Sequence, residues 1–231
     1  MNNKGAPAIP GLEVRELDAA ETPMQAYSKL TSPSTLTRMG LIAFTTVWHS
    51  TTARENGFEL RETILLLVRK TSIHARLIEA SPTIAIDLPF KILIFDAGGG
   101  KKYLAWNDPN YLKWRHAVPD RLVTASLAKR KGYSRVPPSF MLIFGNPNLG
   151  SPLMQQKQIM AIDLPQKMVA FQHTDNKTYV AFNSPMYISE RYGLLEFEFT
   201  GKIYRALEKF AAAVTSPTEE HARMPSDNML E

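Results

Sequence analysis

The pentapeptide Ala-Ile-Asp-Leu-Pro stands at residues 85–89 and again, unchanged, at 161–165, 76 positions later in a chain of 231 residues. Sliding the sequence against itself by that offset extends the match without a gap. Residues 85–118 lie over 161–194 with 14 identities in 34 positions, where composition alone gives about two. Most other positions exchange like for like, Leu104 for Val180, Trp106 for Phe182 and Leu112 for Ile188, as when a packing role is retained. Upstream, ILLLVRKTSIHARLIEASPT falls over FMLIFGNPNLGSPLMQQKQI with fewer identities but the same apolar profile. The chain is a tandem duplication, so its local structure must suit both sets of residues.

That requirement decides the elements. Lys91 to Phe95 and Lys102 to Trp106 flank a glycine-rich bend, and Lys167 to Phe171 and Thr178 to Phe182 flank Thr174-Asp175-Asn176, which predicts a β-hairpin in each copy. Asn107-Asp108-Pro109 and Asn183-Ser184-Pro185 follow, an N-cap residue and then a proline suited to the first helical position. In each of the two helices so predicted, a tyrosine and an arginine four apart share a face: Tyr111 with Arg115, Tyr187 with Arg191. Pro119 to Lys131 reads as a linking helix closed by Gly132, and Lys202 to Val214 as a final helix. Upstream, Glu13 to Glu16 reads as a strand, residues 20–39 as partly helical around Pro33, and Leu41 to His49 as a strong strand with no counterpart in the second copy. The expected layout is a flexible N-terminus at 1–11, repeat one at 12–118, a linker helix at 119–132, repeat two at 133–214 and a flexible tail at 215–231.

Composition excludes several classes. With 44% hydrophobic and 21% charged residues the chain can bury a core. Its longest purely aliphatic run, Ile64 to Val68, is far short of the roughly 20 residues of a membrane helix, and its start lacks an apolar signal region, so a soluble cytoplasmic protein is expected. Zero cysteines exclude disulfides and thiolate chemistry. The net charge is +5, and because the last 17 residues hold four acids and one arginine, residues 1–214 carry +8.

The strings "FGNPNLGSPLM" at 144–154, "FNSPMYISERYGL" at 182–194, "VWHS" at 47–50 and "GFELRETILLLV" at 57–68 resemble the domain-of-unknown-function-302 family. The resemblance covers roughly residues 12–214 and implies an α+β fold: two tandem TATA-binding-protein-like β-α-β4-α repeats, antiparallel sheets with helices on one face, forming a pseudo-dimer in one chain. It implies no activity.

The copies diverge where chemistry would sit. The second keeps Gly145-Asn146-Pro147 where the first has Arg69-Lys70-Thr71, and the first keeps His49, beside Trp48, on a strand that the second lacks. "GGGKK" at 98–102 lacks the Ser/Thr and spacing of a phosphate loop, and its counterpart contains no glycine, so it reads as a hairpin turn. Ser151 precedes a proline and reads as a turn or cap residue, and the five histidines fall in separate segments, which predicts no metal site. Asp87 and Asp163 are expected in Asx turns, with Arg115 and Arg191 either pairing with them or clamping an anionic group. His49 is the candidate acid or base, and Asn146, Arg115, Arg191, Trp48, Tyr111 and Tyr187 are the candidate binding residues.

Three functions follow. The first is a cofactor-independent enzyme, an isomerase, lyase or cyclase, acting on a small organic molecule in a cleft between the repeats; that partner could carry an anionic group. The second is a binding protein of the same shape without catalysis. The third, ranked last, is nucleic-acid binding through the +8 core and "KRKGYSR" at 129–135.

Overall fold

The computed structural model describes residues 7–119, 138–173, 175–194 and 198–215. The first half runs β1 (Leu12–Glu16), α1 (Pro23–Thr31), α2 (Pro33–Met39), β2 (Ile42–Trp48), α3 (His49–Glu55), β3 (Thr63–Arg69), α4 (Thr71–Ala80), a 3₁₀ turn at Pro82–Asp87, β4 (Phe90–Gly98), β5 (Lys101–Asn107) and α5 (Pro109–Arg115). The second runs β6 (Ser139–Phe144), α6 (Pro147–Gln156), a 3₁₀ turn at Gln158–Asp163, β7 (Gln166–Gln172), β8 (Thr178–Phe182), α7 (Pro185–Tyr192) and α8 (Phe199–Thr215). β3 and β6, α4 and α6, the two 3₁₀ turns, β4 and β7, and α5 and α7 each begin 76 residues apart. The strand register repeats too: Leu65 faces Leu93 and Leu93 faces Ala105, as Met141 faces Val169 and Val169 faces Ala181. The proposed linker helix after Pro119 and the basic cluster at 129–135 lie outside the described residues.

Local sequence accounts for the element ends. Thr22 and Gln25 form a capping box before α1, with Pro23 at its first position. Ser32 caps α2, and Asp108 caps α5 by accepting from the Asn110 backbone N–H. The first hairpin turns through Gly98, Gly99 and Gly100 at φ of 83°, 61° and 77°, where the second uses Asn176 at 63°, the residue that best tolerates the left-handed region after glycine. The Leu88–Pro89 and Leu164–Pro165 bonds are cis.

All described strand pairs are antiparallel, in the orders β1-β5-β4-β3-β2 and β6-β7-β8. Among the described residues the second sheet has no partner for β6 equivalent to β2, the strand with no expected counterpart. β3, buried throughout except at Arg69, uses both faces. Ile64 joins Ile94 against Ala26 of α1. Leu65 and Leu67 join a core that also contains Met160, Ile162, Leu164 and Leu207 of the second copy. Reciprocally, Ala85 and Ile86 of the first 3₁₀ turn pack on Val169 and Phe171 of the second sheet. Each copy thus closes the core of the other.

Because that core is shared, urea unfolding should give one transition. Ile162→Ala, at a site with no exposure, is expected to cost about 2–5 kcal/mol, whereas Ile42→Ala on the open β2 should cost less than about 0.5 kcal/mol. Two separated transitions would contradict the shared core.

Candidate functional site

Two neighbouring features meet at the boundary between the copies, a buried ion network and a pocket. The network is built from residues that the repeat relates in pairs. Arg115 Nη1 donates to Asp87 Oδ2 at 2.8 Å and Arg191 Nη1 to Asp163 Oδ2 at 2.8 Å. Arg115 Nη2 reaches across to Asn183 Oδ1 at 2.6 Å, and Arg191 Nη2 to Asn107 Oδ1 at 3.1 Å. Arg115 lies 4.7 Å over the Tyr187 ring and Arg191 lies 4.8 Å over the Tyr111 ring, again across the boundary. His116 Nε2 donates to Asp87 Oδ2, and Tyr192 Oη, at the equivalent position, donates to Asp163 Oδ2. Tyr111 is seated against Gly11, where a Cβ would overlap its ring, and Arg191 Nε also donates to the Pro10 carbonyl. The two aspartates end their 3₁₀ turns and turn into this network; the expected Asx turns do not form, because side-chain cations capture the carboxylates first.

Symmetry fails at the two lysines. Lys91 Nζ donates to Asp163 Oδ1 at 2.8 Å and stands 3.6 Å from Asp87 Oδ1, so one ammonium serves both carboxylates. Its equivalent Lys167, also buried, has no hydrogen-bond partner at Nζ among the described residues. Burial, reinforced by the nearby Lys91 charge, pushes the Lys167 amine down to about 7, against the pull of Asp87 and Asp163. Burial alone would raise the Asp87 carboxyl, but the His116 hydrogen bond and the Lys91 and Arg115 charges hold it well below the usual carboxylate range. Asp163 is likewise held low, against burial, by Lys91 and Arg191.

The pocket, of about 550 Å³, opens beside this network. Val47, His49 and Thr52 of the first copy form one wall; α6, the Leu164-Pro165-Gln166 corner and Ile203, Leu207 and Phe210 of α8 form the rest. Of the residues proposed from sequence, His49 and Asn146 line it. Arg115, Arg191, Tyr111 and Tyr187 lie in the ion network, and Trp48 packs edge-on against Tyr27 at 4.9 Å, away from the pocket. His49 Nε2 is 3.1 Å from the Ala161 carbonyl, which only accepts, so Nε2 carries the hydrogen. Burial pulls the imidazole down to about 4, opposed by the Ala161 and Leu164 backbone, and keeps it neutral. Asn146 caps α6, its side chain accepting from the Asn148 backbone N–H.

Two further lining residues are Ser151, expected in a turn or cap, and Gln166, which the sequence had not singled out. Ser151 lies inside α6, one position before Pro152, and not in a turn; it and Gln166 are buried, and Ser151 Oγ and Gln166 Oε1 have no hydrogen-bond partner among the described residues. The signal for them was present in the repeat, in the replacement of Ala75 by Ser151 and of Phe90 by Gln166. In the first copy the equivalents of Gly150 and Gln166 are His74 and Phe90, whose rings meet edge-on at 4.7 Å. Among the described residues no cluster of His, Asp or Glu could hold a metal ion, and no helix is long and apolar enough to cross a membrane.

Comparison with known proteins follows the same two-part division. The family model described as Domain of unknown function DUF302 matches residues 19–125 and again 120–214. A crystal structure of an uncharacterized conserved protein DUF302 from Bacillus stearothermophilus is similar over 49% of this chain and 84% of its own, at 14% identity and a TM-score of 0.43. Over 67 residues, 29% of this chain, the sequence is 36% identical to proteins named Fluoride-specific ion channel FluC 1 in Brucella suis and in Brucella abortus, covering 26% and 24% of them. The chain thus spans about a quarter of the length of these curated relatives.

The network makes two predictions, both read by urea unfolding across pH. Asp163→Asn leaves Lys91 and Arg191 buried without their carboxylate and should cost about 3–5 kcal/mol at neutral pH. Since the folded carboxyl is held below its unfolded value of 3.8, the native contribution is present above that pH and is lost as pH falls, so the gap between parent and variant should shrink in acid. Lys167→Met should stabilise the protein by about 1–3 kcal/mol at pH 6. Between about 7 and 10.5 the unfolded chain holds a proton that the folded Lys167 lacks, so parent stability rises with pH there and the advantage of the variant should fade by pH 10.

Proposed function

This chain belongs to the family described as Domain of unknown function DUF302, which it matches twice in tandem, and from that premise we propose that the duplicated scaffold binds one small, mainly apolar molecule in the pocket beside α6. The observation that carries this reading is the asymmetry between the copies. The equivalent positions carry two rings in contact, His74 and Phe90, in the first half and the pocket-lining Gly150 and Gln166 in the second, while the shared ion network is kept in both. A concave, largely apolar site of this size with a few polar groups is the usual form of a small-molecule pocket.

Binding is favoured over general-acid catalysis by the state of His49. Its Nε2 hydrogen is committed to the Ala161 carbonyl, and burial keeps the ring neutral at physiological pH, so it has no proton ready to donate. An anionic substrate is disfavoured as well, since Arg115 and Arg191 are already engaged by Asp87 and Asp163. The fluoride-channel activity in the names of the Brucella relatives forms no part of this reading, because the match covers 67 residues of this chain.

The test copies the first half into the second. Gly150→His combined with Gln166→Phe should close the pocket while the protein still folds, because a Cβ at Gly150 meets Leu164 Cδ1 at an ordinary 3.8 Å and the same pair is accommodated in the first copy. The uncharged dye Nile red should bind the parent, with a rise in fluorescence, and bind the double variant at least about tenfold more weakly. Equal binding by a folded double variant would sink the proposal.

A further inference from the structure

We propose that the open edge of β6 is an interface between copies of this chain, in which two β6 strands pair antiparallel about a twofold axis at Met141 and join two three-stranded sheets into one. The pairing is independent of what the pocket binds. Three observations carry it.

The first is where the backbone of β6 points. The Gln172 N–H donates to the Pro138 carbonyl, and the register then sets Phe140 against Ala170, Leu142 against Met168 and Phe144 against Gln166. In an antiparallel ladder these alternate residues bond the neighbouring strand, so the N–H and C=O groups of Ser139, Met141 and Ile143 face outward. Among the described residues no strand meets them. In the first copy Leu65 and Leu67, the equivalents of Met141 and Ile143, face Val47 and Thr45 of β2. The repeat itself therefore shows that this edge takes an antiparallel strand.

The second is the exposed apolar face. Phe140 is 76% and Leu142 55% exposed, whereas their equivalents Ile64 and Leu66 are each 1% exposed, with Ile64 packed on Ala26 of α1. Apolar area that the first copy buries is left open beside an unpaired edge in the second.

The third is self-complementarity, which selects the partner. The strand Ser139–Phe144 carries no charge, proline or register irregularity, the devices that keep an edge from pairing. By contrast β1 carries Glu13, Arg15 and Glu16, and β2 is interrupted between Ala43 and Thr45. An antiparallel pair centred on Met141 sets that residue against its own copy and Ser139 against Ile143 of the partner subunit, so the outward groups of all three residues are bonded. Phe140 then falls beside Leu142 of the partner subunit in the close, non-hydrogen-bonded positions, on the exposed face. Such an interface is isologous and closes at two chains.

Sedimentation velocity of the full chain from about 1 to 200 µM reads the association. One strand pair is at the small end of stable interfaces, so a monomer–dimer equilibrium with a dissociation constant of about 10–100 µM is expected. Leu142→Lys, at an exposed position where circular dichroism should show the fold intact, places two ammonium groups on diagonal neighbours and should weaken the dimer at least about tenfold. The chain has no cysteine, so Met141→Cys reports the register. Its two copies face each other with Cα atoms about 5.5 Å apart, and mild oxidation should link them through a disulfide. Ser139→Cys, whose copies stand about 13 Å apart along the strands, should stay unlinked. A parent that stays monomeric at the highest concentration, assembly that grows past the dimer, or a dimer indifferent to Leu142→Lys overturns the proposal. So does Met141→Cys that cross-links no better than Ser139→Cys.

Discussion

Asp87 and Asp163 are buried between the halves, and the arrangement of everything around them follows from the need to keep both satisfied. A carboxylate taken out of water costs several kcal/mol unless cations and donors replace the lost hydration. The second half does not supply enough alone. Asp163 takes Arg191 and Tyr192 from its own copy but Lys91 from the other, and Arg115, which holds Asp87, completes its own hydrogen bonding on Asn183 across the boundary. The network is therefore complete only when the copies close on each other, and closure also places each 3₁₀ turn on the opposite sheet. The pentapeptide repeats because each of its residues has duties of this kind: in the second copy, Ala161 receives His49, Ile162 enters the core, Asp163 enters the network, and Leu164 and Pro165 wall the pocket.

Within that near-twofold frame the departures are informative. Lys91 bonds Asp163 Oδ1 and stands 3.6 Å from Asp87 Oδ1, while Lys167 Nζ, like Asp87 Oδ1, is buried without a hydrogen-bond partner among the described residues. Gly145 is a second departure: a Cβ there would stand 3.1 Å from Pro165 Cβ, so its bare backbone permits a close approach at the pocket rim. The first copy has Arg69 at that position, whose guanidinium lies over Phe44 of β2, a strand with no counterpart among the described residues of the second half. The ion network tolerates these local differences because its donors come from other elements.

Much of this architecture was legible from sequence. The hairpins at Phe90–Asn107 and Gln166–Phe182, the helices opened by Pro109 and Pro185, and the strand ending at Trp48 were readable because capping, turn chemistry and periodicity act over a few residues. The repeat doubled the evidence for each. The site was less legible. His49 and Asn146 were singled out and do line the pocket, whereas the tyrosines and arginines were drawn into the network by partners roughly 70 to 85 residues distant. Ser151 was read as a turn or cap residue and Gln166 carried no motif, and both differ from Ala75 and Phe90 at the equivalent positions of the first copy.

By itself the sequence determined the duplication, its offset of 76 and the order of elements, since these depend on hydrogen bonds and apolar spacing between near neighbours. Tertiary structure alone decided which half serves the other: that His49 meets a carbonyl 112 residues away, that one lysine of two is paired, and that residues of both copies wall one pocket. Those outcomes depend on how two nearly equal surfaces close around buried charge and volume, which no run of neighbouring residues encodes.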